Sequence, residues 1–159
     1  MLSNKEKIEF IEKLKKKRLK LYVAESITGG RFTSELVKIK GASKYLDYSI
    51  ITYSNKSKHN FLGIEKVIKT YGVVSYQVAI QMAKKVSYKS NFKNKISLAC
   101  TGFASKPINS KENQQGVVFI ATNYKKKINV VKKVFFKKKR EEVINLTVEE
   151  MFKQGNLII

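Results

Sequence analysis

Ser26 stands where an apolar run meets a glycine pair, in Leu21-Tyr22-Val23-Ala24-Glu25-Ser26-Ile27-Thr28-Gly29-Gly30. Phe32, Leu36 and Val37 then recur at helical spacing. The stretch therefore reads as strand, tight turn, helix. The start of a helix points unpaired N–H groups outward and favours negative charge. Glycine lets a ligand come close to the backbone. Such a turn suits a bound anion, or an oxyanion beside a serine nucleophile. It also suits a plain helix cap by Ser26 or Thr28, and spacing alone favours the cap.

A serine nucleophile needs a base. The chain has one histidine, His59, and no motif surrounds it, so it reads as a surface residue. Lysine is the base that remains. A Ser–Lys pair does nucleophilic chemistry when burial and nearby positive charge keep the amine neutral. Two other strand ends carry polar residues: Tyr53, Ser54 and Asn55 with Lys58 close behind, and Thr101 with Gly102. In open α/β sheets, ligands bind beyond the carboxyl ends of the strands. Ser26, Lys58 and Thr101 are expected to converge there, with Tyr53 placed to relay or hold a proton.

The elements that must position these residues follow from pattern. Ser3-Asn4-Lys5-Glu6 has capping-box spacing. It opens a helix with Ile8, Ile11 and Leu14 on one face, closed by Lys15-Lys16-Lys17-Arg18. The helix after Ser26 runs to about Lys38, and Gly41 marks its stop. Strands are predicted over Tyr45–Tyr53, Ile96–Thr101, Gly116–Thr122 and Ile128–Phe136. The last two are joined by a turn at Asn123-Tyr124-Lys125-Lys126. Ser54 or Asn55 starts a short helix that carries Lys58, with Phe61, Leu62 and Ile64 as its apolar contribution and Gly63 as its stop. Lys66–Thr70 is a further short helix, and Ser75 caps one with Val78, Met82 and Val86 on a single face. Ser105 to Gln115 is a polar loop, and Arg140 opens the last helix, with Val143, Leu146 and Met151. This alternation predicts an α/β sheet with helices on both faces, and the late hairpin makes the sheet mixed.

The totals bound the partners. The 159 residues, 43% of them hydrophobic, suit one domain over 1–159 with a real core. One cysteine excludes an internal disulfide and a multi-cysteine zinc site. No apolar run approaches the roughly 18–20 residues of a membrane span, and no signal-peptide core follows the N-terminus. A soluble cytoplasmic protein with no membrane partner is expected. The net charge of +21 points to an anionic partner. Lysine outweighs arginine, whereas bidentate base and phosphate readout leans on arginine. Nucleic acid is therefore not the expected partner, and a phosphorylated small molecule fits the charge as well.

Ala24-Glu25-Ser26-Ile27-Thr28-Gly29-Gly30 resembles the AESCTGG signature of the CinA C-terminal domain family, the nicotinamide-nucleotide amidohydrolases. The resemblance continues in order: Gly41-Ala42-Ser43, Thr52-Tyr53-Ser54-Asn55 with Lys58, Leu62-Gly63-Ile64, Tyr71-Gly72-Val73-Val74-Ser75, Thr101-Gly102-Phe103-Ala104 and Gly116-Val117-Val118. It implies a three-layer α/β/α sandwich around a mixed, mostly parallel sheet. It also implies hydrolysis of the nicotinamide amide of nicotinamide mononucleotide, giving nicotinate mononucleotide and ammonia with no metal or cofactor. By position, Ser26 would be the nucleophile and Lys58 its base, assisted by Tyr53, with Thr101 helping to hold the site. Thr28, Gly29, Gly30, Asn55 and Gly102 would contact substrate, the first three through backbone donors, and Arg140 would meet its phosphate. Relatives imply self-association, most simply as a dimer. Three departures stand out: Ile27 in place of cysteine, Ile144 in place of a second arginine, and a glycine-poor loop over 105–115, with Asn113-Gln114-Gln115 ahead of Gly116. The altered loop and the charge motivate a second reading, a non-catalytic relative that binds an anionic nucleotide or nucleic acid.

Overall fold

The alternation within β1 (Lys20–Glu25) sets the layering. Leu21 and Val23 join one buried cluster while Tyr22 and Ala24 join another on the opposite face, as period-two geometry requires. The computed structural model describes residues 4–107, 114–125 and 127–159. Around β1 lie β2 (Leu46–Ile51), β3 (Lys95–Gly102), β4 (Val117–Tyr124) and β5 (Lys127–Val134), in the order β2-β1-β3-β4-β5. β1 pairs parallel with both β2 and β3, and β4 pairs antiparallel with β3 and β5. Four of the five strands thus share one direction, and the sheet is mixed and mostly parallel.

One face is covered by α1 (Asn4–Lys16), α2 (Arg31–Val37) and α6 (Arg140–Ile158). The other is covered by α3 (Asn55–Leu62), α4 (Glu65–Tyr71) and α5 (Tyr76–Val86). This is the expected three-layer sandwich. Phe10, Leu14, Phe32 and Phe152 are fully or almost fully buried in the first layer, and each such side chain contributes about 1.5–3 kcal/mol by leaving water. Gly155 lets α1 and α6 meet closely, because a Cβ there would come within 2.6 Å of the Phe10 ring. Lys7 reaches across to Glu35 at 3.0 Å and ties α1 to α2. Among the described residues no helix is long and apolar enough to cross a membrane.

Several expectations shift in detail. The predicted Ser3 cap lies outside the described residues, as do Lys126 and residues 108–113 of the polar loop. On α1 the inward face is Phe10, Ile11 and Leu14, and Ile8 points out. On α2 Val37 is exposed, and on α6 Val143, Val148, Met151 and Phe152 form the buried stripe while Leu146 is half-buried. β2 is shorter than Tyr45–Tyr53, because Tyr45 turns into the core and donates its hydroxyl to the Leu36 carbonyl at 2.9 Å. β4 runs further than expected, to Tyr124, which pairs with Lys127 and shortens the connecting turn. Ser75 caps α5 as expected, accepting from the Val78 N–H at 3.3 Å.

Candidate active site

The turn after β1 is built around Glu25. Its side chain is completely buried and accepts from the N–H groups of Gly30, Phe32 and Thr33 at 3.0, 3.1 and 2.9 Å. It also accepts from the Thr28 and Thr33 hydroxyls at 2.6 and 2.5 Å. The helix start therefore does hold an anion, and the anion is the protein's own carboxylate. This answers the unpaired donors of the first turn of α2. It also corrects the reading of Ser26 or Thr28 as the cap, since the N-cap is Gly30, which has no side chain to cap with. Glu25→Ala would leave these donors unanswered in the interior. It should destabilise the fold by about 3 kcal/mol or more, with Glu25→Gln costing less, as measured by urea unfolding.

With the α2 donors taken, the Ser26 hydroxyl is free to face another partner. Ser26 is 6% exposed, and its Oγ lies 2.9 Å from the Lys58 Nζ. Lys58 arrives from α3, whose start is fixed by Ser54. The Ser54 Oγ accepts from the Ser57 N–H at 3.0 Å, and the Ser57 Oγ accepts in return from the Ser54 N–H at 3.1 Å. This capping box aims the first turn of α3 at the end of β1. The Lys58 amine also lies 2.6 Å from the Thr52 carbonyl and 3.3 Å from that of Tyr53. Burial pushes the Lys58 ammonium down from its ordinary value to about 8. The neutral amine has two N–H groups and one lone pair. Its two carbonyl neighbours and the Ser26 hydroxyl match that set, the carbonyls accepting and Ser26 donating.

Cys100 sits beneath the turn. Burial, followed by the nearby Glu25 charge, pushes its thiol up to about 11, against the opposing hydrogen bonds it shares with the Thr28 hydroxyl and with the Ser26 and Thr28 N–H groups. A thiol held neutral in this way is a poor nucleophile. The backbone donors expected to serve the substrate are spent inside the turn. The Gly29 N–H donates to the Ser26 carbonyl at 3.1 Å, that of Gly30 to Glu25, and that of Thr28 faces Cys100. Thr28, Gly29 and Gly30 also line a separate depression beside Arg31 and Lys38.

The other candidates, apart from Arg140, gather at one cleft of about 390 Å³. Ser26, Tyr53, Asn55, Lys58, Thr101 and Gly102 all line it. The Thr101 hydroxyl donates to the Val73 carbonyl at 2.9 Å, which pins the loop between α4 and α5 to the end of β3. Gly102 is a packing requirement, because a Cβ there would come within 2.8 Å of the Val117 carbonyl. The Tyr53 side chain is exposed, and its hydroxyl accepts from the Arg140 guanidinium at 2.6 Å. No hydrogen bond joins that hydroxyl to Ser26 or Lys58 among the described residues, and the contact of Tyr53 with the amine is through its carbonyl. Arg140, at the first turn of α6, also donates to the Ser105 hydroxyl at 3.3 Å. His59 is on the surface, 3.4 Å from Glu65. Ile27 is buried in the core, in keeping with a packing role. Among the described residues no three His, Cys, Asp or Glu side chains cluster as a metal site. Sequence reasoning missed the role of Glu25, although an acid just ahead of a helix start is a readable signal.

Comparison with known proteins gives a consistent picture. The profile described as the CinA C-terminal domain matches residues 4–156. A protein of Finegoldia magna named as competence-damage inducible is 41% identical over 120 residues, covering 75% of this chain and 27% of its own length. A CinA-like protein of Prochlorococcus marinus is 36% identical over 152 residues, covering 94% of this chain and 35% of its own. The chain thus spans about a third of the length of these relatives. The crystal structure of competence/damage inducible protein CihA from Agrobacterium tumefaciens superposes with a TM-score of 0.87 at 29% identity, over 97% of this chain and 92% of that one.

Proposed function

This chain belongs to the CinA C-terminal domain family, and on that premise we propose that it is an amidohydrolase that converts nicotinamide mononucleotide to nicotinate mononucleotide and ammonia. The observation that carries the reading is the buried amine of Lys58, 2.9 Å from the Ser26 hydroxyl and pushed down to about 8. A buried, depressed lysine against a serine is what nucleophilic attack on an amide needs. Neutral Lys58 takes the Ser26 proton as Oγ bonds to the amide carbon, and the carbonyl oxygen becomes the oxyanion. The C–N bond then breaks, and the proton on Lys58 passes to the departing nitrogen, which leaves as ammonia. Water, deprotonated by the now neutral Lys58, attacks the Ser26 ester. The ester bond breaks, Ser26 recovers its proton, and nicotinate mononucleotide leaves.

The substrate's phosphate would meet Arg140, which contacts the cleft-lining Tyr53, displacing the guanidinium from Tyr53. Charge-assisted hydrogen bonds of this kind are worth about 1.5–3 kcal/mol. Arg140→Ala should therefore raise KM for nicotinamide mononucleotide by about 10- to 100-fold and leave kcat nearly unchanged. Steady-state kinetics on the mononucleotide and on its dephosphorylated riboside check this, since the riboside should be indifferent to the substitution. Ammonia release by the wild-type protein beside Ser26→Ala tests the activity itself.

A further inference from the structure

Two adjoining clefts lie along β2, an edge strand, and among the described residues they share no lining residue with the Ser26–Lys58 cleft. The first, about 430 Å³, is lined in part by Tyr48, Phe61, Tyr88, Lys85 and Lys89. The second, about 380 Å³, shares Tyr48 and Lys89 and adds Phe92. Phe61, Tyr88 and Phe92 are 70%, 76% and 49% exposed. Phe61 was expected to be part of the apolar contribution of its helix, yet α3 buries Leu62 and turns Phe61 outward. Lysines accompany these rings. Lys85 stands 5.3 Å from the Tyr88 centroid and Lys20 stands 5.6 Å from that of Phe92. Tyr48 is held in place, its hydroxyl donating to the Val86 carbonyl and its ring packed edge-on to Tyr22 at 5.1 Å.

Three rings open to solvent and three lysines on one face make a surface for a partner that is both flat and anionic. A second copy of this chain fits poorly, because a two-fold contact through this face would bring together the same lysine-bearing patch of both copies. An acidic peptide would answer the lysines and leave the rings unused. Among the described residues Asp47 is the one carboxylate lining either cleft, and Glu65, beside His59, is already paired with Lys69 at 2.7 Å. Single-stranded nucleic acid satisfies both features, since bases stack on exposed rings while phosphates meet lysines. We propose that this face binds single-stranded nucleic acid, with bases on Phe61, Tyr88 and Phe92 and the backbone along Lys20, Lys85 and Lys89. The sequence placed the charge nowhere in particular, and only folding brings these rings from α3 and the α5–β3 connection together. The proposal does not depend on the amidase reading.

The test is fluorescence anisotropy with a labelled oligothymidylate of about fifteen nucleotides, at low and moderate salt. The wild-type chain should bind with steep salt dependence. Phe61→Ala combined with Tyr88→Ala should weaken binding by about tenfold or more. Lys85→Gln combined with Lys89→Gln should weaken it and flatten the salt slope. Lys127→Gln with Lys153→Gln removes the same charge from β5 and α6, and should change affinity by less than about twofold. The proposal is overturned by no binding at low salt, or by equal losses from the two lysine pairs with no effect of the ring substitutions. It is also overturned if the wild type sediments as a dimer that the ring substitutions convert to a monomer.

Discussion

Ser26→Ala should lower the turnover of nicotinamide mononucleotide by about a thousandfold or more, while changing stability by less than about 1 kcal/mol. The separation of the two effects follows from how the turn is built. The shape of the strand-to-helix turn rests on Glu25 and its five hydrogen bonds. The Ser26 hydroxyl takes no part in that network, and its partner is the Lys58 amine. Removing Oγ therefore leaves the turn standing and Lys58 still held by the Thr52 and Tyr53 carbonyls. Ammonia release and denaturant unfolding on the same preparation check the pair of outcomes. A variant that lost its fold together with its activity would assign Ser26 to structure.

Lys58→Met should cost about 10²- to 10⁴-fold in kcat through loss of the base, and it should also change how stability responds to pH. The Lys58 ammonium has a folded value of about 8 against an ordinary 10.5. Below about pH 8 both states carry the proton, and the folded state bears the full cost of a buried charge. Between about 8 and 10.5 the unfolded state binds more protons, so stability rises with pH. Across that window the wild type should gain about 3 kcal/mol relative to Lys58→Met, which cannot titrate. The phenols of Tyr22, Tyr45 and Tyr48, raised chiefly by burial, act in the opposite sense at high pH. They are present in both proteins and cancel in the difference. Urea unfolding of both proteins at several pH values measures it. A difference that stays flat would mean that Lys58 is not held near 8. In the wild type, kcat/KM should rise through a limb near the same pH.

The strand-turn-helix at Ser26, the short helix carrying Lys58 and the late hairpin were all legible from spacing. Each rests on local signals: the apolar run before Ser26, the Ser54 cap, the turn ahead of β5. What local pattern does not contain is the direction of a side chain relative to a partner far along the chain. Ile8, Val37 and Phe61 sit among apolar neighbours that do point inward, and tertiary packing chose Phe10, Leu36 and Leu62 instead. Tyr53, at a strand end with Lys58 close behind, reads as placed to relay or hold a proton. The chain leaves β2 before reaching it, so its ring swings out to Arg140, 87 residues away in sequence. The glycine pair after Ser26 was read as an open set of donors. Glu25 takes the Gly30 N–H from within, and the Gly29 N–H goes to the Ser26 carbonyl.

The most direct measurement is ammonia release from nicotinamide mononucleotide by the purified chain near pH 8, wild type beside Ser26→Ala. Release by the wild type, with equal formation of nicotinate mononucleotide and none above background from Ser26→Ala, is the predicted result. Equal release from both proteins, or none from a folded wild type, would contradict the account.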